Sequence, residues 1–495
     1  MDIKSLKDKI LQLAIQGKLV PQDENDEPAS VLLEKIKVEK EQLIKNKIIK
    51  KEKPLSDISE EEKVFNLPKG WEWCKLGTIT INHDSKRKPV SVKDREDLEK
   101  IYDYYGATGA IDKVDNYIFD GFYLLIGEDG GNFFTDKNVA FTVTGKFWPN
   151  NHVHVLECID NITTDYLKLF LNSIDFKKLD LITGIAVPKL NQLNLNNIVI
   201  SLPPLEEQNR IVDKVEELFE LIDELDNNKQ ELLDNISNTR NKVLQLAIQG
   251  KLVEQCEYDE PASVLLERLK AEKEQLIKDK VIKKEKALPE ITEEEKSFEL
   301  PDTWQWCRLG NISAPENYSF VDGPFGSNLK REHYVDYGVR IIQLQNIGEG
   351  FWKDSNKIYT SIEKADELIR CNAFPGELVI AKMNPIARAT IIPDNDERYV
   401  LCSDCVKLKS YKDIDTGYLK YLMNSNYIKE KAGEGGTGTT RQRKSLGKLK
   451  LIPIPLPPSQ EQKRIVAKVD LIMDYLDKLQ QEIESQEIIL EDIIN

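Results

Sequence analysis

The chain reads as an α+β protein: two domains separated by long coiled-coil helices, built as an internal pseudo-twofold repeat. Three observations predict this. Ten residues, LQLAIQGKLV, occur unchanged at 11–20 and 244–253, and the match extends over 11–79 against 244–312 at 50 of 69 positions. A second match, 198–215 against 452–469, comes at an offset of 254 rather than 233, so the blocks between the matches differ in length by 21 residues. Each second match then opens into apolar residues at 4-3 spacing, the narrow seam of a coiled coil. Duplication on this scale decides the architecture ahead of any local propensity.

The elements follow in order. Residues 1–64 form a helical scaffold segment. The stretch DEPASVLLE from Asp26 opens a helix to about Lys51, with Lys and Glu at i,i+4 spacing. Its basic run at 49–53 is the solvated face of that helix. Residues 65–200 form the first domain, opening on LPKGWEWCKLG. Trp71 and Trp73 alternate as on a strand and belong to the domain core rather than to a base-stacking platform. Residues 201–299 are the central spacer. Pro203 and Pro204 end a strand and start a helix, whose seam is Ile211, Val215, Leu218, Ile222, Leu225, Leu232 and Ile236, interrupted by Lys229. The second scaffold segment follows. Residues 300–455 form the second domain, opening on LPDTWQWCRLG with Trp304 and Trp306. Residues 456–495 are the C-terminal coiled-coil helix. Ser459 and Gln462 suggest a capping box, and the seam is Ile465, Val469, Ile472, Leu476, Leu479 and Ile483, then Gln486 and Leu490.

The net charge of −16 at first opposes nucleic-acid binding, but its distribution does not. Residues 65–200 sum to −3 and 301–455 to +3, so the two domains cancel and the acidity lies in the helical segments. Seven cysteines show no framework spacing, and the single C-x-x-C at Cys402 and Cys405 is expected as reduced thiols. His152 and His154, two of only four histidines, read as structural or surface residues rather than metal ligands, and no metal is expected. No stretch approaches the roughly 20 apolar residues of a membrane span. The charged N-terminus has no signal-peptide core, which predicts a cytoplasmic protein without membrane contact.

The paired L-P-x-x-W-x-W-x-x-L-G openings, the paired L-P-P-x-x-E-Q-x-R-I-V-x-K-V helix starts, the doubled decapeptide and the GPFGSNLK run at 323–330 carry a resemblance over essentially the whole chain. It resembles the specificity (S) subunit of type I restriction–modification systems. The resemblance implies two target recognition domains of mixed α/β fold, each reading one half of a split asymmetric DNA sequence, separated by long antiparallel coiled-coil helices that set their spacing and dock two modification (M) subunits. It implies a non-catalytic chain that binds no cofactor itself. The M subunits would use S-adenosylmethionine, and restriction (R) subunits ATP and Mg. The two identical decapeptides would each help to dock one M subunit.

The chain's own motifs agree. An adenine methyltransferase holds its flipped base with a [D/N]-P-P-[Y/F/W] loop. The nearest tetrapeptide here, from Met383 to Ile386, lacks the second Pro and the aromatic. No Walker A sequence is present. Recognition then falls to polar and basic side chains in the variable blocks. In the second block the candidates are Thr439, Thr440, Arg441, Gln442, Arg443 and Lys444, joined by Lys382, Asn384 and Arg388, with Lys330 and Arg331 as phosphate contacts. In the first block they are Lys86, Arg87, Lys88, Tyr104, Tyr105, Thr108, Asn150, Asn151 and His152. Lys189 joins them, aligning with Arg443 at the offset of 254. Two other readings remain open on sequence alone: a coiled-coil adaptor that binds no DNA, and a methyltransferase or nuclease with fused specificity domains.

Overall fold

The computed structural model describes residues 3–494 apart from 52, 136, 159, 160, 177, 185, 186, 384 and 434–442, and the side chains of these described residues except 161, 162 and 486–494. The chain forms two compact units, residues 1–229 with 486–495, and residues 230–485.

In the first unit, strand Val199–Leu202 runs into Pro203 and Pro204, which lack the N–H a ladder needs, and helix Leu205–Ile248 begins. Glu206 and Glu207 in its first turn complement the helix dipole. Helix Ile3–Ile15 lies antiparallel to this start. Gln22, just beyond it, donates to Glu207 at 2.9 Å, and Lys7 pairs with Asp223 at 2.7 Å. Leu6, Ile10, Leu11 and Ala14 share one core with Ile211, Val215 and Ile222, each fully buried Leu, Ile or Val side chain contributing about 1.5–3 kcal/mol. Strand Glu72–Lys75 pairs antiparallel with Val199–Leu202, joining the first and last strands of the domain. Its main sheet has the order Thr80–Asn82, Val153–Cys158, Phe119–Gly127, Ala140–Pro149, Tyr102–Gly106, Gly109–Val114. All pairs are antiparallel except Tyr102–Gly106 against Ala140–Pro149. Helix Asn161–Asn172 ends in a clamp: Asn172 accepts from the N–H groups of Val139 and Ala140 and donates to the Ala140 carbonyl.

The second unit repeats this design. Residues 230–248 of the long helix lie antiparallel to helix Ser459–Ile494, with Gln255 donating to Glu461 at 2.6 Å and Arg240 paired with Asp477 at 2.6 Å. Strand Gln305–Arg308 pairs with Pro453–Leu456. A four-stranded antiparallel sheet follows the order Phe320–Asp322, Cys405–Leu408, Leu378–Ala381, Ala389–Ile391. This is the order of the first four strands of the other domain's sheet, and Asn424 clamps Ala389 as Asn172 clamps Ala140. The two variable blocks, different in length, therefore share a scaffold. The second domain carries in addition a five-stranded sheet, Tyr334–Val335, Tyr359–Thr360, Val339–Ile342, Tyr399–Leu401, Asn372–Ala373.

Three expectations need correction. The capping box does not form as expected: helix Ser459–Ile494 starts at Ser459 itself, and buried Gln462 donates back to the Pro457 carbonyl, as Gln208 does to Pro203. The expected seam is buried at its start and again at Ile236, but not throughout. Ile211, Val215, Ile222, Ile236, Ile465 and Val469 are buried, and Leu218, Ile472, Leu476 and Ile483 are half-buried. Leu225 (58% exposed), Leu232 and Leu479 (44%) are surface residues. In the first unit the reason is length: Ile3–Ile15 has 13 residues, about 20 Å at 1.5 Å per residue, and the Lys7–Asp223 pair marks where its cover ends. Finally, much of the decapeptide is not a free docking face. Leu11, Ala14, Ile15 and Gly17 are buried inside their own unit. Gly17 has φ +66°, and a Cβ there would stand 2.4 Å from Pro68; Gly250 has φ +68° and stands likewise 2.5 Å from Pro301. Self-packing accounts for identity at these positions.

Candidate nucleic-acid interface

Each domain is seated by the same set of contacts. The buried Trp71 indole donates to Glu207 at 2.9 Å, and Trp304 to Glu461 at 2.9 Å. Arg210 forks onto Asp26 and Arg464 onto Asp259. The second tryptophans, Trp73 and Trp306, pack on Phe65 and Phe298. Trp71 and Trp304 are therefore interior residues, while Trp73 and Trp306 are half-buried.

At the opposite end of the first domain's sheet, four separate candidate runs converge. The Asn150 amide donates to the Tyr105 carbonyl at 2.9 Å. Arg87 donates to the Val153 carbonyl and to Glu128, both at 2.7 Å, and approaches Asp84 at 3.5 Å. Lys189 pairs with Asp129 at 3.0 Å and Glu128 at 3.2 Å, and His152 approaches Asp129 at 3.4 Å. The two carboxylates hold the Lys189 ammonium above its usual range. Burial raises the Asp84 carboxyl but is outweighed by the hydrogen bond and charge of His154 and by Arg87, so it sits below the usual range. Asp84, Glu128 and His154 bring one ligand atom each within 4.8 Å, the one such group among the described residues. Arg87 already supplies a cation there, and the His154 Nε2 donates to the Leu190 carbonyl at 2.8 Å while Nδ1 meets Asp84 at 2.6 Å.

Several first-domain candidates are thus structural. Tyr104 is 1% exposed beneath the Arg95 guanidinium, Tyr105 packs on Phe141 and Phe147, and Asn150 (6% exposed) caps the His152 amide. Arg87 is enclosed by its acidic partners. Lys86, Lys88, Thr108, Asn151 and His152 are the exposed members. Sequence reading missed Glu128 and Asp129, which neutralise this end; the adjacent acid pair after an apolar strand was the available signal.

The second domain builds the same place with the opposite charge. An isolated antiparallel bridge joins Asp129 to Lys189 and another joins Met383 to Arg443. The Leu190 amide donates to the Glu128 backbone carbonyl as the Lys444 amide donates to the Lys382 carbonyl. All these equivalences have the offset of 254, so Glu128 and Asp129 correspond to Lys382 and Met383. Lys382 is 4% exposed, its ammonium 3.5 Å from Asp322, which also takes Arg370 at 2.9 Å. Arg443 is exposed and pairs with Asp404 at 2.9 Å. Lys330 and Arg331 are exposed, next to the exposed Phe325. Arg388 is structural, donating to the carbonyls of Ile347 and Leu344, and Lys444 is buried. Asn384, Thr439, Thr440, Arg441 and Gln442 lie outside the described residues. Arg370 was missed because it stands alone in sequence, 48 residues from Asp322.

A family model for the type I restriction modification DNA specificity domain matches residues 68–235 and 328–491. The chain belongs to this family. It is 31% identical to the type I restriction enzyme EcoAI specificity subunit of Escherichia coli, over 96% of this chain and 90% of that one. It is 30% identical to the EcoEI specificity subunit of the same species, over 98% and 91%. Among solved structures it is similar in fold to a chain from work on complex assembly and conformational transition of the type I R-M system, with a TM-score of 0.52 at 18% identity, covering 87% of this chain and 97% of that one. As a type I specificity subunit it is a DNA-recognition component and not a catalytic one. Its two domains are the recognition domains, and the two sheet ends just described are their candidate DNA-facing surfaces.

Proposed function

We propose that this specificity subunit reads a bipartite, asymmetric DNA target, each domain taking one half, while the helices set the gap and seat two modification subunits. Methyl transfer then belongs to the modification subunits with S-adenosylmethionine, and translocation and cleavage to restriction subunits with ATP and Mg. The carrying observation is the pair of equivalent sheet ends bearing Glu128 and Asp129 in one domain and Lys382 and Met383 in the other. One scaffold with unlike side chains at its tip suits two unlike half-sites, because sequence is read by the particular groups presented to base edges. The work place would be the cytoplasm; among the described residues no helix is long and apolar enough to cross a membrane. The test is methylome sequencing of cells expressing the chain with its modification subunit. One motif of two unlike halves at a fixed gap is expected. A continuous motif, or two identical halves, overturns the proposal.

A further inference from the structure

The C-x-x-C at 402–405 lies at the second domain's candidate DNA-facing end, in contact with Arg443 and Lys382. The Cys402 and Cys405 sulfurs are 3.5 Å apart, and the turn is closed by the Cys405 amide donating to the Cys402 carbonyl at 3.1 Å. A bonded pair stands at about 2.05 Å, so the sulfurs need only a small approach. Three segments hang on this turn. The Arg443 guanidinium binds the Ser403 carbonyl at 3.1 Å and the Asp404 carboxylate at 2.9 Å. The Lys382 amide donates to the Asp404 carbonyl at 2.9 Å. The Gly323 amide donates to the Cys405 carbonyl at 2.9 Å, and Gly323 lies so close to the Cys402 carbonyl that a Cβ would fall 1.8 Å from it.

We propose that Cys402 and Cys405 are a dithiol that a low-molecular-weight disulfide oxidises to an intrachain disulfide, re-setting the turn that holds Arg443, Lys382 and Gly323. The consequence for DNA rests on reading this domain as a DNA reader.

The two thiols are unequal. Cys402 is held below the usual thiol range by the S–H of Cys405 and by the Asp404 amide, whereas its hydrogen bond to Cys402 and burial hold Cys405 well above it. Cys402 is also the partly exposed member. The Cys402 thiolate attacks one sulfur of the small disulfide, whose S–S bond breaks and releases one thiolate. Cys405 then attacks the Cys402 sulfur of the mixed disulfide, its proton passing to the departing second thiolate. Two protein thiols are oxidised and one small disulfide is reduced to two thiols.

The test uses the full chain with its modification subunit, equilibrated in glutathione buffers from reducing to oxidising. Alkylation and peptide mass mapping follow the thiols, and binding is measured to DNA altered in one half-site at a time. The expected result is a Cys402–Cys405 linkage two hydrogens lighter than the dithiol. Discrimination at one half-site only should fall about tenfold, the scale of one good base contact, and return with dithiothreitol. Cys402→Ser should bind alike in both buffers. Absence of the linkage under oxidising buffer overturns the proposal, and so does a linkage that leaves both half-sites unaffected. Reduced protein with no sequence-specific binding overturns the DNA reading and the proposed consequence, while thiol mapping still decides the disulfide.

Discussion

Lys189 and Arg443 occupy one structural position in the two domains: each is bridged antiparallel to the residue two places beyond an equivalent strand, Asp129 in one and Met383 in the other. Lys189 meets carboxylates at that bridge, from Asp129 and Glu128, whereas the residue bridged to Arg443 is the uncharged Met383. The same backbone thus presents a cation held by two carboxylates in one domain and, in the other, an exposed arginine held by the Asp404 carboxylate and the Ser403 carbonyl.

Releasing the first cation should be measurable. Glu128→Gln removes one carboxylate from both Arg87 and Lys189. Non-specific DNA affinity should rise, and the slope of log K against log salt should steepen by about one, the effect of roughly one added phosphate contact. An unchanged slope in a salt titration would show that this end does not approach the backbone.

Arg441→Ala should weaken or change recognition of one half-site only, by about 1–3 kcal/mol per lost bidentate contact. Competition binding with targets altered in either half checks this. Equal loss at both halves counts against domain-specific reading.

The Glu207 and Glu461 carboxyls answer for domain seating. Burial holds both above the usual carboxylate range, against the hydrogen bonds from Gln22 and Trp71, and from Trp304 and Gln255. Each folded unit therefore binds this proton more tightly than the unfolded chain does. The resulting stability is fully present below the unfolded carboxylate range and is lost as pH rises through the raised folded value. Glu207→Gln should flatten that part of the pH–stability curve in denaturant unfolding. Glu207→Ala and Glu461→Ala, which leave buried donors unpaired, should each cost about 1–3 kcal/mol. A pH curve unaltered by Glu207→Gln refutes the assignment.

One helical turn added to the spacer region of both Leu205–Ile248 and Ser459–Ile494 should lengthen the gap between half-sites and leave both half-sites intact, since a turn advances a helix by 5.4 Å. Methylation mapping of that variant decides; an unchanged gap removes the helices as the ruler.

The scaffold was readable from sequence because duplicated segments constrain each other: one offset placed Lys189 opposite Arg443, and the bridges to Asp129 and Met383 agree. The site was less readable because charge in a run says nothing of what faces it. Arg87 looked like part of a basic patch, but its partner Glu128 is 41 residues away. Tyr104 looked available, but strand alternation turns it inward under Arg95. The seam was extended past Ile222 because the heptad continues, whereas helix Ile3–Ile15 stops.

The Trp–Glu–Gln and Arg–Asp contacts that seat the domains use the same residue types in both copies. They carry no label saying which domain is which. On the proposed bipartite reading, these shared contacts do not set the order of the two readers: the direction in which an asymmetric sequence is read follows the path of the peptide backbone and the copy-specific contacts beside it, such as Tyr411 to Glu272 and Arg268 to Asp413.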